Sequence, residues 1–226
     1  MNEFGVIFDW DGVVVDSSRL HVLSWERLAA REGKQLVGVD RIGSLGMKTQ
    51  AVITDLLGWT QDAGEAFQLT LDKEEIFRCL AHEVGIDSTP GVIDFLHSLK
   101  NLGVPAVVGS SAPRLNVEAG MDVLNARDLF KGIVSGDDVE RGKPNPDIFL
   151  KAAETLECKP ENCIVFEDAP AGVQAAKAGG MRVVGVLTAY PADKLAGADR
   201  LIRDFRELTA IEFVGWMATA GASAAG

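Results

Sequence analysis

The chain has 226 residues, of which 47% are apolar and 24% charged, and a formal net charge of −11. That apolar content excludes a disordered polymer, and at roughly 150 residues per domain the length allows one large domain or two modest ones. The 33 acidic residues outnumber the 22 basic ones with no Lys/Arg stripe to offset them, which excludes a surface built for nucleic acid or anionic lipid.

Cys79, Cys158 and Cys163 make neither a disulfide framework nor a Cys-x-x-Cys zinc pair. No apolar run approaches the ~18 residues of a membrane span, and Met1-Asn2-Glu3 is not the basic start of a signal peptide. The expectation is a soluble cytoplasmic protein in a reducing compartment, monomeric by default.

Phe4 to Phe8 is a short apolar run that stops at Asp9. Similar runs recur at Val104 to Gly109, Gly132 to Ser135, Cys163 to Phe166 and Arg182 to Leu187. Each is rich in Val and Ile, too short for a buried helix and closed by polar residues or glycine. This is the pattern of parallel strands buried on both faces. Residues 17–87 differ. They carry helical periodicity (Leu20, Leu23, Leu28; Val52, Ile53, Leu56, Leu57; Ile76, Phe77, Leu80) and no convincing parallel strand.

Beyond them, Thr89-Pro90 reads as the N-cap and first-turn proline of a helix ended by Gly103. Pro113 and Asn145-Pro146 start two more, the latter with Phe149, Ala152, Ala153 and Leu156 facing inward. Ala169 to Ala178 is a small-residue helix closed by Gly179-Gly180. The prediction is a doubly wound α/β core over 1–16 and 88–226, with a mostly helical insert over 17–87 and a frayed tail from Ala218.

In such sheets ligands bind beyond the carboxyl ends of the strands. There the sequence places Asp9-Trp10-Asp11-Gly12, Ser110-Ser111, Gly142-Lys143-Pro144 and Glu167-Asp168. Four crowded carboxylates need a positive centre. Mg²⁺ suits hard oxygen ligands and a substrate phosphate, while Lys143 and Ser110 can hold phosphate oxygens. One carboxylate can attack phosphorus, and a second, two residues on, can pass the proton. Each piece has a plainer reading: a serine cap, a turn lysine in solvent, acids favouring a helix dipole. Their joint placement in chain order at the correct strand ends favours chemistry.

The set Asp9-Trp10-Asp11-Gly12-Val13, Ser110, Lys143-Pro144-x-Pro146-Asp147 and Glu167-Asp168-Ala169-x-x-Gly172 resembles the haloacid dehalogenase-like superfamily. With its helical insert it is similar to the branch containing phosphoglycolate phosphatase and β-phosphoglucomutase. The resemblance implies a Mg²⁺-dependent enzyme acting on a small phosphomonoester, a phosphosugar or phosphoglycolate-like acid. It implies Asp9 as nucleophile and metal ligand, and Asp11 as general acid/base that binds metal through its carbonyl. Ser110 and Lys143 would hold the phosphoryl group, with Asp168, and Glu167 near it, at the metal; the dehalogenases lack the second aspartate.

The insert resembles the family's cap, entered through Asp16-Ser17-Ser18-Arg19-Leu20-His21. Candidate substrate contacts are Gly12, Ser111, His21, Gly46, Lys48 and Lys73. For His21 the alternative is packing against Trp25; for either lysine, a solvated helix position. Mutases of the branch carry Gly-x-x-Arg where this chain reads Gly46-Met47-Lys48-Thr49, and lysine lacks arginine's bidentate fork. Hydrolysis is therefore expected over phosphate transfer, and a non-catalytic phosphate binder is the remote alternative. Trp10, bulkier than the usual spacer, should point into the core.

Overall fold

The computed structural model describes residues 4–37 and 49–221. It divides into two compact units, Met1–Asp16 with Ser88–Gly226, and Ser17–Asp87. The first elements are β1 (Gly5–Phe8), β2 (Val15–Asp16), α1 (Ser18–Glu32), α2 (Thr49–Ala51), α3 (Ala63–Val84) and β3 (Asp87–Ser88). Then come α4 (Val92–Asn101), β4 (Ala106–Gly109), α5 (Arg114–Leu124), β5 (Ile133–Val134) and α6 (Asp147–Leu156). The chain ends through β6 (Cys163–Glu167), α7 (Pro170–Ala178), β7 (Arg182–Val186), β8 (Arg200–Ile202) and α8 (Ala210–Gly221).

Six strands form one parallel sheet in the order β5-β4-β1-β6-β7-β8. The order runs outward in both directions from β1, so the topological switch point lies at its end, where such folds bind ligands. Phe8 pairs with Val108 on one side and Phe166 on the other, which brings the three strand ends level. Val6, Ile7 and Phe8 are fully buried because helices cover both faces. One face is aromatic: Phe8 stacks on Phe166 at 4.9 Å, and Phe95, Phe205 and Phe213 complete the cluster. The other joins Ile7, Val107 and Val165 to Phe149, Ala152, Ala153 and Leu156 of α6. Those four α6 residues are the inward face read from their spacing.

One predicted boundary shifts and one strand is added. The helix expected to start at Thr89-Pro90 starts at Val92 instead. Thr89 is buried, donates its N–H to the Val14 carbonyl and accepts Val92 N–H, so Thr89-Pro90-Gly91 is a turn rather than a cap. β8 is an additional strand, an edge of three residues whose apolar signal is too short to read. Trp10 is in the core as expected, lying so close to Gly120 that a Cβ there would come within 2.7 Å of its ring.

The second unit is helical. α1 and α3 bury Leu20, Trp25 and Leu28 together with Ala66, Leu69, Phe77 and Leu80. Asp62 caps α3 by accepting Glu65 N–H at 2.8 Å, and Gly33 ends α1 at a left-handed φ of 61°. α2 runs on into a π-helical turn over Val52–Leu56, where Val52 and Ile53 are buried. Leu56, read as part of that apolar face, is exposed. Among the described residues no helix is long and apolar enough to cross a membrane. All three cysteines are free thiols.

Candidate active site

Asp9 is the first residue past β1, and its N–H donates to the Phe166 carbonyl at 3.0 Å. This sets its side chain beside the end of β6, where Glu167 is the last strand residue and Asp168 follows. The chain then reverses: Gly12 N–H donates to Val15 O at 2.7 Å, and Val14 and Val15 N–H groups both donate to Trp10 O. Gly12 has φ +77°, and a Cβ there would lie 1.9 Å from Asp168 Oδ2. Both the left-handed backbone and the close approach require glycine.

Carboxylate oxygens of Asp9, Glu167 and Asp168 lie within 4.8 Å of one another, and all three residues are buried. Lys143 Nζ, also buried, is 2.8 Å from Glu167 Oε2, 3.1 Å from Asp9 Oδ1 and 4.7 Å from the Phe149 ring centroid. One ammonium therefore pairs with two of the three carboxylates. Burial first, then the charge of Asp9, pushes Glu167 up to about 7 against the pull of Lys143. Burial, then Glu167 and Asp9, pushes Asp168 up to about 8. For Lys143 burial works downward, but Asp9 and Glu167 outweigh it and the ammonium is held charged.

Asp9 Oδ1 is buried and, that ion pair aside, has no hydrogen-bond partner. An orphaned anionic oxygen facing two further carboxylates fits a hard divalent cation, which takes oxygen ligands and supplies the missing charge. Glu167 is the most committed of the three, since Oε2 takes Lys143 and Oε1 accepts Ala169 N–H at 3.1 Å. Asp11 is half-buried in the turn, near enough for its charge to help raise Asp168.

The remaining core candidates reach the same edge. Ser110 is buried one residue past β4; its N–H donates to Val134 O, and its Oγ accepts Ala112 N–H at 3.2 Å, so its proton can be donated outward. Ser111 is exposed, its carbonyl packed where a Cβ on Gly136 would come within 2.5 Å. The Lys143 loop is pinned by two Arg141–Asp147 hydrogen bonds at 2.9 and 2.7 Å and by Asn145 Nδ2 on Gly142 O.

Two contacts escaped sequence reasoning. Thr188, past β7, donates its hydroxyl to the Gly12 carbonyl at 2.6 Å, and nothing in its neighbours marks it. Gly172 was visible in a motif without its reason: a Cβ there would lie 2.0 Å from Glu167 Cδ. Gly172→Ala is expected to cost about 1–3 kcal/mol by overpacking. Urea unfolding will read this as a lower midpoint at unchanged slope; an unaltered midpoint would mean that Glu167 moves aside freely.

In the helical unit, Lys73 Nζ lies 2.8 Å from His21 Nδ1 and 3.2 Å from Glu74 Oε1, and Thr49 Oγ1 donates to that same Glu74 oxygen. Lys73 is 1% exposed, which overturns the reading as a solvated lysine. It is retained in the interior by Glu74 and by the faces of Trp25 and Phe77, whose centroids lie 5.7 and 5.3 Å from it. His21 stacks on Phe77 at 4.6 Å. Burial, then the Lys73 charge, lowers it to about 3, so the ring is neutral. Gly46 and Lys48 lie outside the described residues.

The fold is a doubly wound α/β sheet whose carboxyl edge carries clustered acids and one lysine. The chain belongs to the haloacid dehalogenase-like hydrolase family, which matches residues 5–180. It is 34% identical over 210 residues to the chloroplastic 5-amino-6-(5-phospho-D-ribitylamino)uracil phosphatase of Arabidopsis thaliana, across 92% of this chain and 56% of that protein. It thus spans little more than half the length of that relative. It is 32% identical over 202 residues to the validoxylamine A 7'-phosphate phosphatase of Streptomyces hygroscopicus subsp. limoneus, across 89% of this chain and 94% of the other. The crystal structure of β-phosphoglucomutase from Clostridium difficile superposes with a TM-score of 0.81 at 25% identity, covering 99% of this chain and 100% of that one.

Proposed function

We propose that the protein hydrolyses a small phosphomonoester, a phosphosugar or phosphoglycolate-like acid, through a phosphoaspartate on Asp9. The buried Asp9–Glu167–Asp168 cluster with Lys143 carries this reading, and relatives named as phosphatases support it. Lys143 and the Ser110 hydroxyl hold the phosphoryl oxygens. An Asp9 carboxylate oxygen attacks phosphorus as the ester P–O bond breaks, and the Asp11 carboxyl gives its proton to the leaving oxygen. Asp11, now a carboxylate, takes a proton from water; that oxygen attacks the phosphoaspartate, frees inorganic phosphate and restores Asp9. Asp9, Asp168, Glu167 and the Asp11 carbonyl would hold Mg²⁺, which when bound neutralises charge on the transferring phosphoryl group.

Residues 17–87 act as a cap that excludes bulk water and selects the substrate, with His21, Lys73, Gly46 and Lys48 as its candidate contacts. The setting is a cytoplasmic monomer with no nucleic-acid or membrane partner. The second reading is a sugar-phosphate mutase, favoured by the likeness to the solved β-phosphoglucomutase and weakened by Lys48 standing where the mutases carry arginine. Phosphorus NMR with Mg²⁺ and a phosphosugar panel, including β-glucose 1-phosphate with a trace of its bisphosphate, separates them. Growing free phosphate supports hydrolysis; phosphate moving between hydroxyls without release supports the mutase. Excess EDTA is expected to stop turnover and added Mg²⁺ to restore it.

The raised carboxylates set a pH dependence. Asp168 at about 8 and Glu167 at about 7 are above their ordinary values, so the metal-free fold is most stable at low pH and loses that stability as pH rises through 7 and 8. Mg²⁺ binds the charged forms and releases protons. The rise in Tm on adding Mg²⁺ should therefore be larger near pH ~8.5 than near pH ~6. Equal rises would show that these carboxylates are already ionised without metal.

A further inference from the structure

Thr188 follows β7, one strand beyond β6, on the edge that carries Asp9 and Asp168. Its Oγ1 donates to the Gly12 carbonyl at 2.6 Å across 176 residues of chain, and lies 3.5 Å from Asp168 Oδ2. Gly12 N–H is already committed to Val15 O at 2.7 Å. Both backbone polar groups of Gly12 are thus held, from β2 on one side and from the end of β7 on the other. Gly12 also sits where any Cβ would strike Asp168. The three residues form one contact, and Asp11 is the residue immediately before it.

We infer that Thr188 is a positioning residue: by anchoring the Gly12 carbonyl it sets the Asp11–Gly12 turn against Asp168 and so sets the affinity of the site for Mg²⁺. The inference rests on the phosphatase reading of the site. The hydroxyl has one proton, and it is spent on Gly12; toward Asp168 the group offers only an oxygen. Its part is therefore geometric rather than charge-neutralising. Thr188 is exposed, so in the valine variant the Gly12 carbonyl meets mobile water instead of a hydroxyl fixed to the end of β7, whereas serine keeps the fixed donor.

The test is calorimetric titration of MgCl₂ into the full chain for wild type, Thr188→Val and Thr188→Ser, with unfolding temperatures measured in EDTA. Loss of a group that orients metal ligands should weaken Mg²⁺ binding in Thr188→Val by about tenfold or more. Thr188→Ser should stay within about twofold of wild type, and the three unfolding temperatures should agree within a few degrees. A purely packing role would instead lower the unfolding temperature and leave Mg²⁺ affinity alone. Wild-type affinity in Thr188→Val, or equal losses in the valine and serine variants, overturns the inference. Should Thr188→Val not fold, Thr188→Ala is judged by the same comparison with serine. A wild type that binds Mg²⁺ but releases phosphate from no ester sinks the phosphatase reading and leaves Thr188 to be decided by the titration. A wild type that binds no Mg²⁺ overturns both.

Discussion

Asp9→Asn is expected to lose phosphate release by roughly 10⁴-fold or more while keeping its fold, as when other enzymes lose a covalent nucleophile. Asparagine matches aspartate in shape, but its amide has no anionic oxygen to attack phosphorus. The fold should survive because Asp9 is tied into the sheet by its backbone N–H, while its Oδ1 makes no hydrogen bond. Lys143 keeps Glu167 at 2.8 Å as its partner. Removing the Asp9 charge also removes the second cause, after burial, of the rise in Glu167, and the third cause of the rise in Asp168. In metal-free buffer at neutral pH the variant should therefore melt no lower than wild type. Phosphate release and a thermal melt on the same preparation check both halves. Turnover within about tenfold of wild type would remove Asp9 from the nucleophile's place.

Lys143→Met should have the largest effect on stability, about 3–5 kcal/mol, because it takes the cation from a buried cluster and leaves the carboxylates. Methionine keeps much of the apolar stem against Phe149, so what is lost is the charge and its contact with the ring. The sign with pH follows from the carboxylates. Without Lys143, the charge and hydrogen bond that hold Glu167 down are gone, and burial and Asp9 push it higher still. The folded state then favours the protonated form still more strongly, so the penalty is greatest when the acids are ionised and is relieved as pH falls. Denaturant unfolding should show the gap from wild type widest near pH ~8 and narrowing toward pH ~5. A gap under about 1 kcal/mol at the higher pH would show that the carboxylates are solvated enough to do without the ammonium.

Much of the core was legible because its physics is local. A strand covered on both faces must be apolar until it emerges, so the runs Phe4 to Phe8, Val104 to Gly109 and Cys163 to Phe166 announced the strands, with ends within a residue or two of β1, β4 and β6. The polar residues at or just past those ends, Asp9, Ser110, Glu167 (the last residue of β6) and Asp168, could then be assigned to one edge by topology. Helix faces with a strong period, such as Phe149, Ala152, Ala153 and Leu156, were equally plain. Weaker signals misled. Thr89-Pro90 has the composition of a helix start, yet Gly91 at φ +81° turns the chain first. Leu56 fits an apolar spacing and is exposed, and β8 offers too few residues to register.

By itself the sequence determined the α/β pattern, the helical insert and the residue types that gather at the sheet edge, since these follow from hydrophobic period and from what each strand must become at its end. Only the tertiary structure decided that Lys73 is buried among Trp25, Phe77 and Glu74, that Gly172 clears room for Glu167, and that Thr188 reaches Gly12. Each depends on distances between side chains far apart in the chain, and a pattern of neighbours along one strand or helix carries no record of them.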